Sequence, residues 1–146
     1  MTKQIQVTWE RLGLSNFEAM LANSKNCVYV HSDKHDNPCY IGKATDLAQR
    51  YKSGSHHLLK GCIQEGRLFY VGKFKEADLE RYPKSPREKQ KQGFTYNLLN
   101  LVEFDLISRC TDLDNHRLKL RSSIKTDKYE EEELVHKGDV PSFLIK

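Results

Sequence analysis

No stretch of this chain approaches ~18 consecutive apolar residues, the length a membrane span needs, and the first apolar stretch follows Gln4 with no secretion-signal pattern. The expectation is a soluble, intracellular (cytoplasmic) protein with no membrane partner. Cysteine is sparse and scattered: Cys27, Cys39, Cys62 and Cys110 form no CxxC pair, which argues against a zinc site and against a secreted disulfide framework. Reduced, half-buried thiols are the plainer reading. There is no internal repeat, no low-complexity tract beyond Glu130–Glu133, and no zinc-finger or helix-turn-helix signature.

What remains is enough for one domain. The chain has 146 residues, 38% of them hydrophobic, so a core needs no disulfide or metal staple. The net charge of +4 is unevenly placed: residues 81–125 carry ten Lys/Arg against five Asp/Glu, and residues 127–146 three Lys against six acids. A basic body with an acidic tail suits a polyanion-binding surface beside a repelling segment, although solvated faces of opposite sign account for the charges equally well.

Along the chain, residues 1–26 read as a helical or irregular lead-in around Trp9, Leu12, Leu14 and Phe17. "CVYV" (27–30) and "CYIG" (39–42) read as strands joined by the polar loop "HSDKHDNP". If that loop is symmetric, Tyr29 lies opposite Tyr40 on one face of the sheet. Thr45 stands where an N-cap belongs and Asp46 suits the positive end of a helix over 46–52, which should stop at Ser53-Gly54. A second short helix (56–66) closes at Gly66, "RLFYVGKF" (67–74) is a third strand, and 75–93 is an exposed basic excursion. Phe94, Leu98, Leu101, Val102, Leu106 and Ile107 have helical spacing within 94–110. The apolar "VPSFLIK" end packs back on the body. The fold class is α/β, an α+β sandwich with a small central three-stranded, mainly antiparallel sheet flanked by helices.

Three features within this frame carry chemistry. The tyrosine pair is either an aromatic cross-strand contact or a pair of functional phenols, with Lys43 just past the strand end. Arg50 falls beside the Leu47–Tyr51 core stripe, where its rigid fork could reach back over the sheet to a phosphate; a plain surface arginine is the alternative. Glu103 is the sharpest anomaly. Its helical neighbours Leu99, Leu106 and Ile107 are apolar, so its carboxylate requires a cation, either a hard divalent metal or a core-side Lys or Arg.

Together these residues resemble the GIY-YIG nuclease superfamily. The first motif appears as Cys27-Val28-Tyr29 and the second as Tyr40-Ile41-Gly42, followed by Lys43. Arg50 lies ten residues beyond Tyr40, Glu103 opens "EFDLI", and Asn115 follows twelve residues later. The likeness covers residues 27–115, with 1–26 and 116–146 as extensions. It departs from the family pattern at Cys27, which replaces the first glycine, and at Gly54, where a His or Tyr is frequent; His56 is then the candidate for a phosphate or leaving-group contact. The resemblance implies a Mg²⁺-dependent DNA endonuclease, with Mn²⁺ as a substitute and a homodimer allowed. Glu103 would be the metal ligand and Arg50 the phosphate clamp. Tyr29, or else Tyr40, would be the general base, its pKa lowered by Lys43 and Arg50, and Asn115 would orient the site. Lys84, Arg87, Lys89 and Lys91 would meet the DNA backbone. The competing function is a GIY-YIG-like module that binds nucleic acid without cutting it.

Overall fold

The computed structural model describes residues 3–52, 54–81, 97–110 and 132–145. Among them β1 (Lys3–Arg11), α1 (Phe17–Asn23), β2 (Lys25–Ser32), β3 (Pro38–Asp46), α2 (Leu47–Arg50), α3 (Gly54–Gln64), β4 (Leu68–Phe74), α4 (Glu76–Arg81), α5 (Asn97–Ser108) and β5 (Glu132–Gly138) follow in order. A short 3-10 turn at Ser142–Leu144 comes after β5. The sheet has five strands in the order β3-β2-β4-β1-β5. The β1–β5 pair is parallel and the others are antiparallel.

The three-stranded expectation therefore falls short by two strands, both supplied by the segments expected as extensions. β1 is an alternating strand: Ile5, Val7 and Trp9 are buried while Gln4, Thr8 and Glu10 face solvent, the period-2 pattern of a half-covered strand. It pairs with β4 on one side and β5 on the other. Gly72 on β4 makes room for it, since a Cβ there would lie 2.9 Å from Val7 Cγ1 and 3.0 Å from Trp9. The Trp9 indole N–H donates to His136 Nδ1 at 3.0 Å, fastening β5 to the core. No helix among the described residues is long and apolar enough to cross a membrane.

Two cores lie on opposite faces of the sheet. On one, Leu98, Leu99, Leu101, Val102, Leu106 and Ile107 of α5 cover Ile5, Val7, Val28, Val30 and Ile41, with Val140, Phe143 and Leu144 packed against the same cluster. On the other, Phe17, Met20 and Leu21 of α1, Leu47 of α2 and Leu59 of α3 cover Cys27, Tyr29, Ala44, Phe69 and Val71. Fully burying each large apolar side chain contributes about 1.5–3 kcal/mol, so both faces are anchored independently.

Local signals were right in kind and off in detail. α3 ends as expected: Gly66 takes φ +95° and the Arg67 N–H donates to the Cys62 carbonyl at 3.0 Å, the left-handed closure glycine permits. The helix expected over 46–52 shrinks to Leu47–Arg50 and ends at Tyr51, and Gly54 opens α3 instead of closing α2. Its cap is Asp46, not Thr45, because the Asp46 carboxylate accepts from the N–H groups of both Ala48 and Gln49 while Thr45 is still in the strand.

Candidate active site

The site begins with strand parity. Tyr29 pairs with Gly42 and His31 with Tyr40, two residues away from the expected Tyr29–Tyr40 opposition. An even offset leaves every side chain on its face, so both tyrosines still share a surface, with ring centroids 6.1 Å apart and planes inclined by 22°. The register explains the glycine of the second motif. A Cβ on residue 42 would lie 2.5 Å from both Cζ and the hydroxyl oxygen of Tyr29. Glycine alone lets the Tyr29 ring lie across β3, the edge strand. Phe69 of β4 flanks the ring at 5.6 Å on its other side.

Arg50 reaches this surface as the sequence suggested. Its Nε–H donates to the Tyr29 hydroxyl at 3.2 Å from a helix held at its start by Asp46. The Tyr51 hydroxyl lies 2.8 Å from His31 Nε2, and the Tyr51 ring meets Tyr29 edge-on at 5.7 Å. These groups, with Tyr40, Ser55 and Arg67, line an open cleft of about 450 Å³ whose wall has two guanidiniums and, among the described residues, no carboxylate. Such a wall suits a phosphate with an attached planar group.

The expected lowering of the Tyr29 pKa is not what the surroundings produce. Tyr29 is 1% exposed, and burial pushes its phenol above the usual value, while the Arg50 hydrogen bond and charge pull the other way. Burial likewise raises Tyr51. His31 is lowered to about 4 by burial and the nearby Arg67 charge, so it is neutral at pH 7.

Lys43 does not help Tyr29. It pairs with Val28, on the α5 face, and its Nζ meets Glu103 Oε1 at 3.3 Å. Glu103 is 2% exposed in the apolar α5 face, and of the two cations its sequence left open, the core-side lysine is in place. Tyr29–Arg50 and Lys43–Glu103 thus approach from opposite faces, yet they do so at Gly42 and Lys43, consecutive residues of the edge strand. One residue of strand advances only ~3.3 Å, so both pairs flank the same short piece of edge backbone.

The remaining site residues divide. His56 turns away from the cleft: its Nε2 lies 3.0 Å from Glu18 Oε1 and its ring meets Phe17 edge-on at 4.9 Å, so a phosphate role at the tyrosines is not supported. Asn115, Lys84, Arg87, Lys89 and Lys91 lie outside the described residues. His31 and Arg67 are cleft residues that sequence reading passed over, because the strand was expected to stop at Val30 and instead runs to Ser32. Alternation from Tyr29 would have found His31. No family model, curated protein or solved structure matches the chain.

Proposed function

We propose that the protein is a metal-dependent DNA endonuclease that hydrolyses phosphodiester bonds at the β3 edge. The reading rests on one observation above the others: Tyr29 and Arg50 meet over Gly42 while the next residue, Lys43, holds a buried carboxylate. Arg50 would clamp the scissile phosphate and meet the charge that grows on it in the transition state. Tyr29, once ionised, would take a proton from the attacking water, and Arg50 would hold that phenolate in place between attacks. Tyr40 and Phe69, stacked on either side of the Tyr29 ring, would exclude bulk water from both of its flanks.

The donor set fits Mg²⁺ or Mn²⁺ at Glu103. A single hard carboxylate with the rest of the shell from water and phosphate is an ordinary Mg²⁺ arrangement. When bound, the cation would supply neutralisation of the phosphate and of the leaving oxygen. Lys43 would surrender part of its hold on Glu103, and being only partly buried it can swing toward the DNA backbone.

The second reading, a nucleic-acid-binding module without cleavage, draws on the same Lys43–Glu103 pair, since a lysine already satisfies the carboxylate, and on the raised Tyr29 phenol. Supercoiled plasmid with Mg²⁺, and EDTA as control, decides between them. The nuclease nicks or linearises plasmid, and Glu103→Gln lowers the rate by on the order of 10³ or more with unchanged thermal unfolding. Wild-type protein that retards DNA in a gel but never cuts it, with Mg²⁺ or Mn²⁺ across pH 6–10, leaves only the binding module.

A further inference from the structure

Arg67 belongs to no role so far described, and strand parity fixes its place. It precedes Leu68, the first residue of β4, which pairs with Ser32. Arg67 therefore shares a face with Phe69 and Val71, two and four residues on. That is the cleft face, and Arg67 lines the cleft together with Arg50. The two guanidiniums start from opposite ends of it. Arg50 meets the Tyr29 hydroxyl, whereas Arg67 stands level with residue 33, ~13 Å farther along β2 by strand rise. On the helical side, Ser55 near the start of α3 also lines the cleft, and the 11 residues of α3, ~16 Å of helix, lead from there to the turn before Arg67. Arg67 is exposed, and among the described residues it has no carboxylate partner. The Asp33 carboxylate, level with it, is turned into its own loop and accepts from the His35 and Asn37 N–H groups. Between the arginines lie neutral rings: His31 and Tyr40 pair across β2 and β3, both half-buried, with centroids 6.2 Å apart.

We propose that the cleft is a subsite for an unpaired DNA strand, in which Arg67 binds the phosphate next to the one at Arg50 and the base between them lies against the Tyr40 and His31 rings. The inference rests on the nuclease reading for the position of the scissile phosphate; strand binding itself needs no cleavage. Two cations held apart by neutral rings fit a ligand of matching pattern, anionic at both ends and planar between. One nucleotide step of single strand has that pattern. Duplex DNA does not, because its bases are paired and stacked inside, and only phosphates and groove edges reach a protein surface. Arg67 and Tyr40 would therefore select unpaired strand, whereas Arg50 alone would meet the phosphate of either form. Stacking accepts every base, so the subsite distinguishes strand state and not sequence. Negative supercoiling favours local opening of the duplex, so a supercoiled plasmid still presents such a strand.

The test is a binding titration of the full chain in EDTA, against a fluorescein-labelled thymidine pentanucleotide and against a blunt hairpin duplex, over a range of salt. Arg67→Ala should weaken pentanucleotide binding about tenfold and flatten its salt slope by about 0.7, the loss of one single-strand phosphate contact, with duplex affinity nearly unchanged. Tyr40→Leu should weaken it about tenfold, as losing one base–aromatic stack does, without altering the slope, and Tyr40→Phe should bind as wild type does. An abasic pentanucleotide makes the same comparison without a substitution: wild type should hold it as weakly as Tyr40→Leu holds the thymidine strand. A wild-type protein that does not bind the pentanucleotide overturns the proposal. So does Arg67→Ala with an unchanged slope, or with equal losses on single strand and duplex. Tyr40→Phe binding as weakly as Tyr40→Leu, or an abasic strand held as tightly as the thymidine one, also overturns it, because no stack is then involved. The expected losses in a protein that never cuts plasmid keep the subsite and reject the nuclease. Plasmid cleavage with Arg67→Ala binding single strand as tightly as wild type keeps the nuclease and rejects the subsite.

Discussion

The two faces of the sheet treat their polar groups in opposite ways. On the α5 face the buried carboxylate of Glu103 is set among aliphatic side chains and met by Lys43 at 3.3 Å. On the other face the polar atoms are ring atoms: Tyr29, His31, Tyr40 and Tyr51 touch one another and Phe69, with Arg50 at the rim. An aliphatic face can keep a charge only by pairing it. An aromatic face carries hydroxyls and a ring nitrogen that can hydrogen-bond one another, as Tyr51 and His31 do, so it holds ionisable groups without charging them. The comparison assigns different work to the two cations. Lys43 chiefly neutralises a buried partner, whereas Arg50, at the open end of the cleft, has charge to spare for a ligand.

Exchanging those cations gives the largest expected effect. Arg50→Ala should lower the cleavage rate by on the order of 10²–10³, the scale of losing one electrostatic stabiliser, with little change in thermal stability. Lys43→Met should do the reverse in stability, removing the partner of a buried carboxylate and destabilising the fold by roughly 3 kcal/mol. Chemical denaturation beside single-turnover cleavage reads both. Equal stability losses in the two variants would mean that the faces do not differ in the way described.

Acid should next expose the aromatic face. The His31 pKa is about 4 in the folded protein against ~6.5 unfolded, so the unfolded chain binds the extra proton first. Its contribution is complete above pH ~6.5 and is lost as pH falls from there through about 4, on the order of 2–3 kcal/mol at the acid end. His136 is also lowered by burial and adds to acid sensitivity. The His31 share is therefore the difference between wild type and His31→Phe across pH 4–7. Parallel stability curves would show that His31 is not held neutral.

How much of this was legible follows the range of the forces involved. The YIG glycine, the Tyr–Arg spacing and the apolar neighbours of Glu103 are local patterns, and they placed Arg50 at Tyr29 and a cation at Glu103. The register was missed by two residues because the loop is not symmetric. Asp33 accepts from the N–H groups of His35 and Asn37, Asp36 takes φ +64°, and the pairing is irregular between His31 and Ser32. Lys43 was assigned to Tyr29 by nearness along the chain, whereas strand alternation sends it to the opposite face. β1 was visible in principle, since Gln4 to Glu10 alternates cleanly; β5 was not, since "EELVHKG" acquires its strand identity only from pairing with a segment 129 positions earlier (Lys3 with Glu132).

Gly42→Ala tests the contact that ties the faces together at the edge strand. The new methyl would meet the Tyr29 ring at 2.5 Å, and the ring, packed between Tyr40 and Phe69, has little room to retreat. Overpacking of this kind destabilises by about 1–3 kcal/mol. The damage should be one-sided: the Tyr29–Arg50 bond opens and cleavage falls, while the Lys43–Glu103 pair on the other face is kept. Tyr29→Phe in the Gly42→Ala background should give back little stability, because the phenyl ring still collides. Full recovery would place the clash at the hydroxyl alone.

The smallest expected effect, and the most local, lies at Asp46. Its carboxylate caps α2 through Ala48 and Gln49 and pairs with Lys25 Nζ at 2.7 Å. The Lys25 bond and the cap bonds together hold its pKa below the usual carboxylate range. Since the folded pKa is depressed, the contribution is present above the unfolded value of ~3.9 and disappears as pH falls through the folded one. Removing a cap of this type costs about 1 kcal/mol. α2 has only four residues, so Asp46→Ala should loosen Arg50 more than it loosens the protein. The expected signature is a modest drop in stability with a larger loss in cleavage, while Asp46→Asn, which keeps a capping oxygen, retains most of the rate. If Asp46→Ala cuts as fast as wild type, Arg50 is positioned by its contact with Tyr29 and not by the helix that carries it.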